Sequence, residues 1–198
     1  MRNIMKKMKK LLQNSKKVFK TRKKLHLPGK NVYTNVSKQC YNTTKKEDNY
    51  MYKAMDIAQY IITKCTSDGS PVSNLQLQKI LFFIQGKWMV QKESALFEED
   101  IFAWQFGPVV PNVYYRFCGY GASKILGRYP EIKIDEQTAS IIDPIIEEKR
   151  ELYPWTLVEQ THKKGGAWDQ VYQEGKGDHQ VIPKDMIKSD FLKDGVLL

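Results

Sequence analysis

The chain has 198 residues, of which 41% are hydrophobic and 12% aromatic, enough for one ordinary buried core plus an appendage. The formal charge of +10 is unevenly placed: residues 1–46 hold 15 Lys/Arg and no acid, while residues 47–198 hold 17 Lys/Arg against 22 Asp/Glu, a net of −5. Three widely spaced cysteines without a Cys-x-x-Cys pair (Cys40, Cys65, Cys118) argue against a disulfide framework or zinc knuckle and suit a reducing cytosol.

No apolar run approaches the roughly 18 residues of a spanning helix, and no apolar stretch follows the basic start as a secretory signal requires. The expectation is a cytoplasmic protein without a membrane span.

Within the basic segment, Ile4, Met8, Leu11, Ser15 and Val18 recur at three- and four-residue steps among lysines, the pattern of a weak amphipathic helix. Leu27-Pro28-Gly29 breaks it, and residues 31–49 read as polar linker. Residues 1–50 are therefore expected to be a flexible basic arm. Such an arm can bind nucleic acid by phosphate neutralisation through residues 1–46, a salt-dependent and sequence-blind attraction. Phe19, Tyr33 and Tyr41 are sparse for base stacking, so a solvated tail stands beside that reading. A third reading concerns the gene. Lys46-Glu47-Asp48 can be encoded by AAG-GAG-GAU, a ribosome-binding sequence suitably spaced before a start at Met51, which would make residues 1–50 a translated leader. The codons decide it.

Residues 51–198 read as one domain, mainly α (α+β): a compact helical body with a small accessory β-sheet. Ala54, Ile57, Ala58, Ile61 and Cys65 share a helical face, ended by a Thr-Ser-Asp-Gly-Ser-Pro loop at 66–71. Ser73 and Gln76 fit a capping box, with Val72 and Leu77 as its hydrophobic staple. Leu77, Ile80, Leu81, Phe83, Ile84 and Trp88 then form a broad apolar stripe, so this helix is expected to be central and buried.

After Glu98-Glu99-Asp100 the period changes to two over Ile101–Phe106, which predicts a strand that Gly107-Pro108 turns. Pro111 suits the first position of a helix carrying Val113, Tyr114 and Phe117. A second strand is expected within Gly127–Ile134. Asp135 can cap the next helix, and Asp143-Pro144 suggests that residues 135–152 form two helices or a kinked one. Helices are also expected from Trp155 to Thr161, from Ala167, and after Ile182-Pro183 with Ile187 and Phe191 inward.

The order of these landmarks resembles a known family. Val72-Ser73-Asn74-Leu75-Gln76-Leu77-Gln78-Lys79-Ile80-Leu81-Phe82-Phe83 is similar to the "T/S-N-L-x-L-Q-K-L-L-Y-F" stretch of the Panacea family of SocA-like antitoxins, also labelled GepA-like and phage-associated. Phe102–Tyr114 resembles its "F-x-A-W-x-Y-G-P-V-x-P-x-V-Y" signature, Leu157–His162 with Trp168 its "L-x-x-x-T-H…W" segment, and Ile182–Phe191 its closing helix. The blocks span about 140 residues in order, and nothing before Met51 has a counterpart. The resemblance implies an antitoxin of a toxin–antitoxin or prophage locus. Its function would be to neutralise a cognate toxin, encoded by an adjacent gene, by direct protein–protein binding. The alternative is a nucleic-acid-binding or regulatory phage-associated protein using the arm.

Candidate binding residues cluster at an aromatic–Gly–Pro corner: Trp104, Phe106, Gly107, Pro108 and Pro111, followed by Tyr114, Tyr115 and Arg116. Rings and arginine are frequent interface anchors. The competing reading has Trp104 and Phe106 filling the core, along with one of the tyrosines. Ser73, Gln76, His162 and Trp168 are structural or functional candidates. His162 with Asp169 could form an acid–base pair, against a structural histidine bonded to nearby backbone or carboxylate. A Cys118–His162 pairing is rejected because the two lie far apart in sequence. Glu98-Glu99-Asp100 and Asp143, Glu147 and Glu148 read as solvated faces. No Gly-x-Gly-x-x-Gly or Walker-type loop occurs, so no cofactor, metal or catalytic residue is expected, and the chain is not read as an enzyme.

Overall fold

The structure is a computed structural model that describes residues 51–194, so the arm and its three readings lie outside the described residues. The described residues form seven α-helices and a three-stranded antiparallel sheet of strand order β2-β1-β3.

Helix α1 (Ala54–Ser67) buries Ala54, Ile57, Ala58, Ile61, Ile62 and Cys65. Its own N-cap, Lys53, supplies no side-chain bond; instead the Glu99 carboxylate accepts from the Ala54 N–H at 2.7 Å. A carboxylate at a helix N-terminus meets an orphan donor and the positive end of the helix dipole.

Helix α2 (Asn74–Lys92) begins at the predicted capping box: Gln76 N–H donates to Ser73 Oγ, and Ser73 N–H to Gln76 Oε1. The staple residues Val72 and Leu77 are both buried. The helix is buried on nearly all sides, packing against α1, against α3 (Pro111–Phe117), α4 (Glu136–Arg150), α5 (Pro154–Thr161) and α7 (Lys184–Asp194), and against strand β2. A helix enclosed this way must find partners for its polar side chains, and those partners build the candidate site.

Strand β1 (Ile101–Trp104) turns Ile101 and Ala103 into the core and leaves Phe102 and Trp104 half-buried. It pairs with β2 (Gly107–Val109), so the hairpin tip is Gln105-Phe106, and Gly107-Pro108 lies in the strand rather than forming the turn expected there. Pro108 is tolerated because β2 is an edge strand, where a missing N–H leaves no gap in the ladder. The other neighbour of β1 is β3 (Gln180–Ile182), with Ile101 opposite Ile182. No strand forms in Gly127–Ile134, where Ile132 and Ile134 are half-buried without pairing. The third strand comes instead from a three-residue segment too short to show a period.

Helix α4 starts at Asp135, whose carboxylate accepts from the Thr138 N–H at 2.9 Å and from the Tyr52 hydroxyl at 2.6 Å. It continues through Pro144 as one helix. Asp143 is therefore not a cap: it accepts from the Tyr60 hydroxyl at 2.8 Å and faces Lys64 at 3.6 Å. Two of the carboxylates expected on solvated faces, Glu99 and Asp143, thus hold elements together. Helix α6 (Ala167–Tyr172) precedes β3, and α7 brings Ile187 and Phe191 inward as expected, the Phe191 ring 5.4 Å from that of Phe82. Among the described residues no helix is long and apolar enough to cross a membrane.

Candidate functional site

The polar side chains of α2 act as brackets on the main chain of the hairpin and of helix α3 beyond it. Lys79, buried completely, donates from Nζ to the Pro108 carbonyl at 3.1 Å. Gln78 accepts from the Val110 N–H at 3.0 Å and donates to Asn74 Oδ1 at 3.0 Å, while Asn74 donates to the Tyr114 carbonyl at 3.1 Å. One turn of α2 thereby ties down the Gly107-Pro108 strand, the start of α3 and its first turn. Lower on the same helix, Gln85 accepts from Leu96 and Phe97 N–H and donates to the Phe97 carbonyl. Each of these bonds to the main chain satisfies a peptide group that would be costly to bury unpaired.

Gly107 sits at φ +98°, and a Cβ there would stand 2.8 Å from Lys79 Nζ and 2.8 Å from Thr161 Oγ1. Only glycine combines that dihedral with that proximity. Burial, with no opposing charge near, draws the Lys79 ammonium down to about 7.

Around this corner lies a cavity of about 570 Å³. Its wall is aromatic: the Trp104 ring packs at 4.9 Å from Tyr114 and 4.7 Å from His179, and Phe106 meets Trp155 edge-on at 5.7 Å. Phe106 is 51% exposed and Trp155 48%. Of the predicted residues, Trp104, Phe106 and Tyr114 line this cavity. Tyr115, 63% exposed, stands 6.0 Å from the Trp104 ring. Gly107 and Pro108 are buried behind the wall, and Pro111 opens α3. Arg116 points elsewhere, its guanidinium 5.7 Å from the Phe117 ring. The core-filling alternative does not hold for Phe106, nor for Tyr114 or Tyr115, none of which is fully buried. Trp155, Lys79, Gln78, Asn74, Asp178 and His179 also line the cavity, and sequence reasoning did not single them out. An exposed tryptophan just after a helix-opening proline was the one available hint, for Trp155.

His162 and Asp169 do not pair. The imidazole stacks on Trp168 at 3.6 Å with ring planes 5° apart, and its Nε2 is buried without a hydrogen-bond partner. Asp169 accepts from the Gly165 N–H at 2.8 Å. Burial, then the nearby Lys79, pushes His162 below its ordinary value, while Asp169 pulls weakly the other way. Trp168 in turn donates from Nε1 to the Trp104 carbonyl at 2.9 Å, fixing the end of β1. His162 and Trp168 thus brace the corner from behind. Ser73 and Gln76 stand at the far end of the same helix, where Gln76 also donates to the Arg150 and Leu152 carbonyls. Among the described residues no group of three or more His, Cys, Asp or Glu could hold a metal.

These features define a mainly α domain whose central helix brackets a Gly-Pro hairpin beneath a wall of partly exposed rings. The sequence profile described as "Antitoxin SocA-like, Panacea domain" matches residues 77–169, which includes the bracketing lysine, the hairpin and the His162–Trp168 stack. "Antitoxin SocA" of Caulobacter vibrioides (strain NA1000 / CB15N) is 30% identical over 143 residues, covering 66% of this chain and 76% of that protein. The chain belongs to the SocA-like Panacea family. No solved structure matches it.

Proposed function

We propose that this protein is an antitoxin that neutralises a cognate toxin by direct binding, and that the toxin is encoded by an adjacent gene. The observation carrying the reading is the similarity to a curated antitoxin over three quarters of that protein's length. The corner supports binding rather than chemistry. Its exposed rings stand on backbone held rigid by α2, so little ordering is required when a partner covers them. His162 stacks on Trp168 and Asp169 accepts from the Gly165 N–H, so the weighed acid–base pair does not form, which supports a non-enzymatic role. A domain with a formal charge of −5 suits a basic toxin, since opposite charge speeds encounter.

Co-expression tests the proposal. The protein should restore growth of cells expressing the neighbouring gene's product and should co-purify with it; failure of both overturns the reading.

A further inference from the structure

We propose that the cavity at Trp104 takes a carboxylate side chain of the partner protein, flanked by apolar residues, with Lys79 as its counter-charge. This rests on the binding role proposed for the protein and adds the chemistry of the anchor.

A volume of about 570 Å³ holds several side chains of a short segment rather than one. The rings of Trp104, Phe106, Tyr114 and Trp155 call for apolar groups in most of it. The polar atoms of the floor decide the remainder. Both polar ends of Gln78 and of Asn74 already have partners. The cavity's own carboxylate, Asp178, faces His179 Nδ1 at 3.0 Å at the exposed side, and the buried groups left over are donors. Lys79 Nζ bonds to the Pro108 carbonyl, and among the described residues no carboxylate lies within ion-pair distance of it. Trp104 Nε1 is buried with no hydrogen-bond partner among the described residues.

A buried ammonium without a counter-ion and an unmet indole N–H are both unfavourable, and one acceptor of negative charge relieves both. A neutral apolar occupant leaves them as they are, and a cationic one makes the first worse. Lys79 is fully covered, so its ammonium must turn a second N–H towards the cavity while keeping its bond to Pro108, which its three donors permit. The acidic balance of the domain does not oppose this. It concerns long-range steering of a basic partner, whereas the anchor is a local contact.

The test pans the immobilised full chain against a random peptide library and measures enriched peptides by calorimetry beside their Glu→Gln or Asp→Asn counterparts. The expected peptides share one acidic residue next to a bulky apolar one. The amide counterpart should bind on the order of 30-fold more weakly. Lys79→Met should erase that difference while keeping a cooperative melt, and Trp104→Phe should weaken the acidic peptide. Should Lys79→Met fail to fold, Lys79→Gln and Trp104→Phe carry the comparison. No enrichment, equal binding of acid and amide, or discrimination that survives loss of the Lys79 charge overturns the proposal. So does free 3-phenylpropionate binding as tightly as the peptides, since the site would then suit a small metabolite. Growth rescue by the unaltered protein is scored separately: rescue without acid preference removes this anchor alone, and absent rescue removes the binding reading.

Discussion

Lys79 and Gly107 occupy adjoining space so closely that no side chain fits between them. A Cβ on Gly107 would lie 2.9 Å from Lys79 Cε, at a φ of +98° that L-residues rarely adopt. Gly107→Ala is expected to lower stability by about 1–3 kcal/mol from backbone strain alone, read as a fall in the urea midpoint. On the proposed role, growth rescue in the co-expression assay should fall with it, because Phe106 is carried on the same hairpin.

Lys79 also predicts a pH dependence. Its ordinary value is 10.5 and its folded value about 7. Between those two values the unfolded chain holds a proton that the folded chain has shed. Stability therefore rises as pH climbs from 7 towards 10.5, and the term is flat below 7. Lys79→Met should remove that rise and should be more stable than the unaltered protein at pH 7, since an apolar side chain of similar length replaces an uncompensated charge. Urea midpoints of both proteins from about pH 7 to about 9.5 check this. Cys65, Tyr52 and Tyr60, all pushed up first by burial, are present in both and cancel in the difference.

Phe106 and Trp155 meet across the cavity mouth yet are both about half exposed. On the proposed role, Phe106→Ala and Trp155→Ala should each weaken binding of the neighbouring gene's product by about 2 kcal/mol or more. The thermal midpoint should change little, because exposed rings add little to folding. Pull-down affinity beside a melting curve separates the two effects.

Gly86 in the middle of α2 faces the ring of Phe191 on α7, and a Cβ there would overlap the ring. Alanine normally gains up to about 1 kcal/mol over glycine inside a helix. Here Gly86→Ala should instead destabilise by about 1–3 kcal/mol through overpacking. In a Phe191→Ala background the same change should become stabilising, which a double-mutant cycle by chemical denaturation would reveal.

Asp135 is held low, to about 2, first by the Tyr52 hydroxyl and then by Thr138. Its contribution is present above the ordinary carboxylate value of 3.8 and is lost as pH falls through about 2. Asp135→Ala should cost about 1 kcal/mol at neutral pH as a lost cap. The gap between the two proteins should close during acid titration followed by circular dichroism.

Much of this arrangement was legible from residues in order. The capping box at Ser73 and Gln76, the proline opening α3, the Asp135 cap and the inward faces of α1 and α7 depend on neighbours within a few positions, and local geometry enforces them. The motif order carried the family. Other features depend on residues far apart in sequence. Glu99 caps a helix that begins 45 residues earlier, and β3 exists because β1 offers it an edge. Pro144 stays inside one helix although its neighbour Asp143 has the composition of a cap. Above all, Lys79 reads in one dimension as an ordinary lysine on a helix. Its burial under the Gly-Pro strand, beside the ring-walled cavity, arises because α2 is enclosed on nearly all sides, so that its buried polar groups must find their partners in other elements rather than in water.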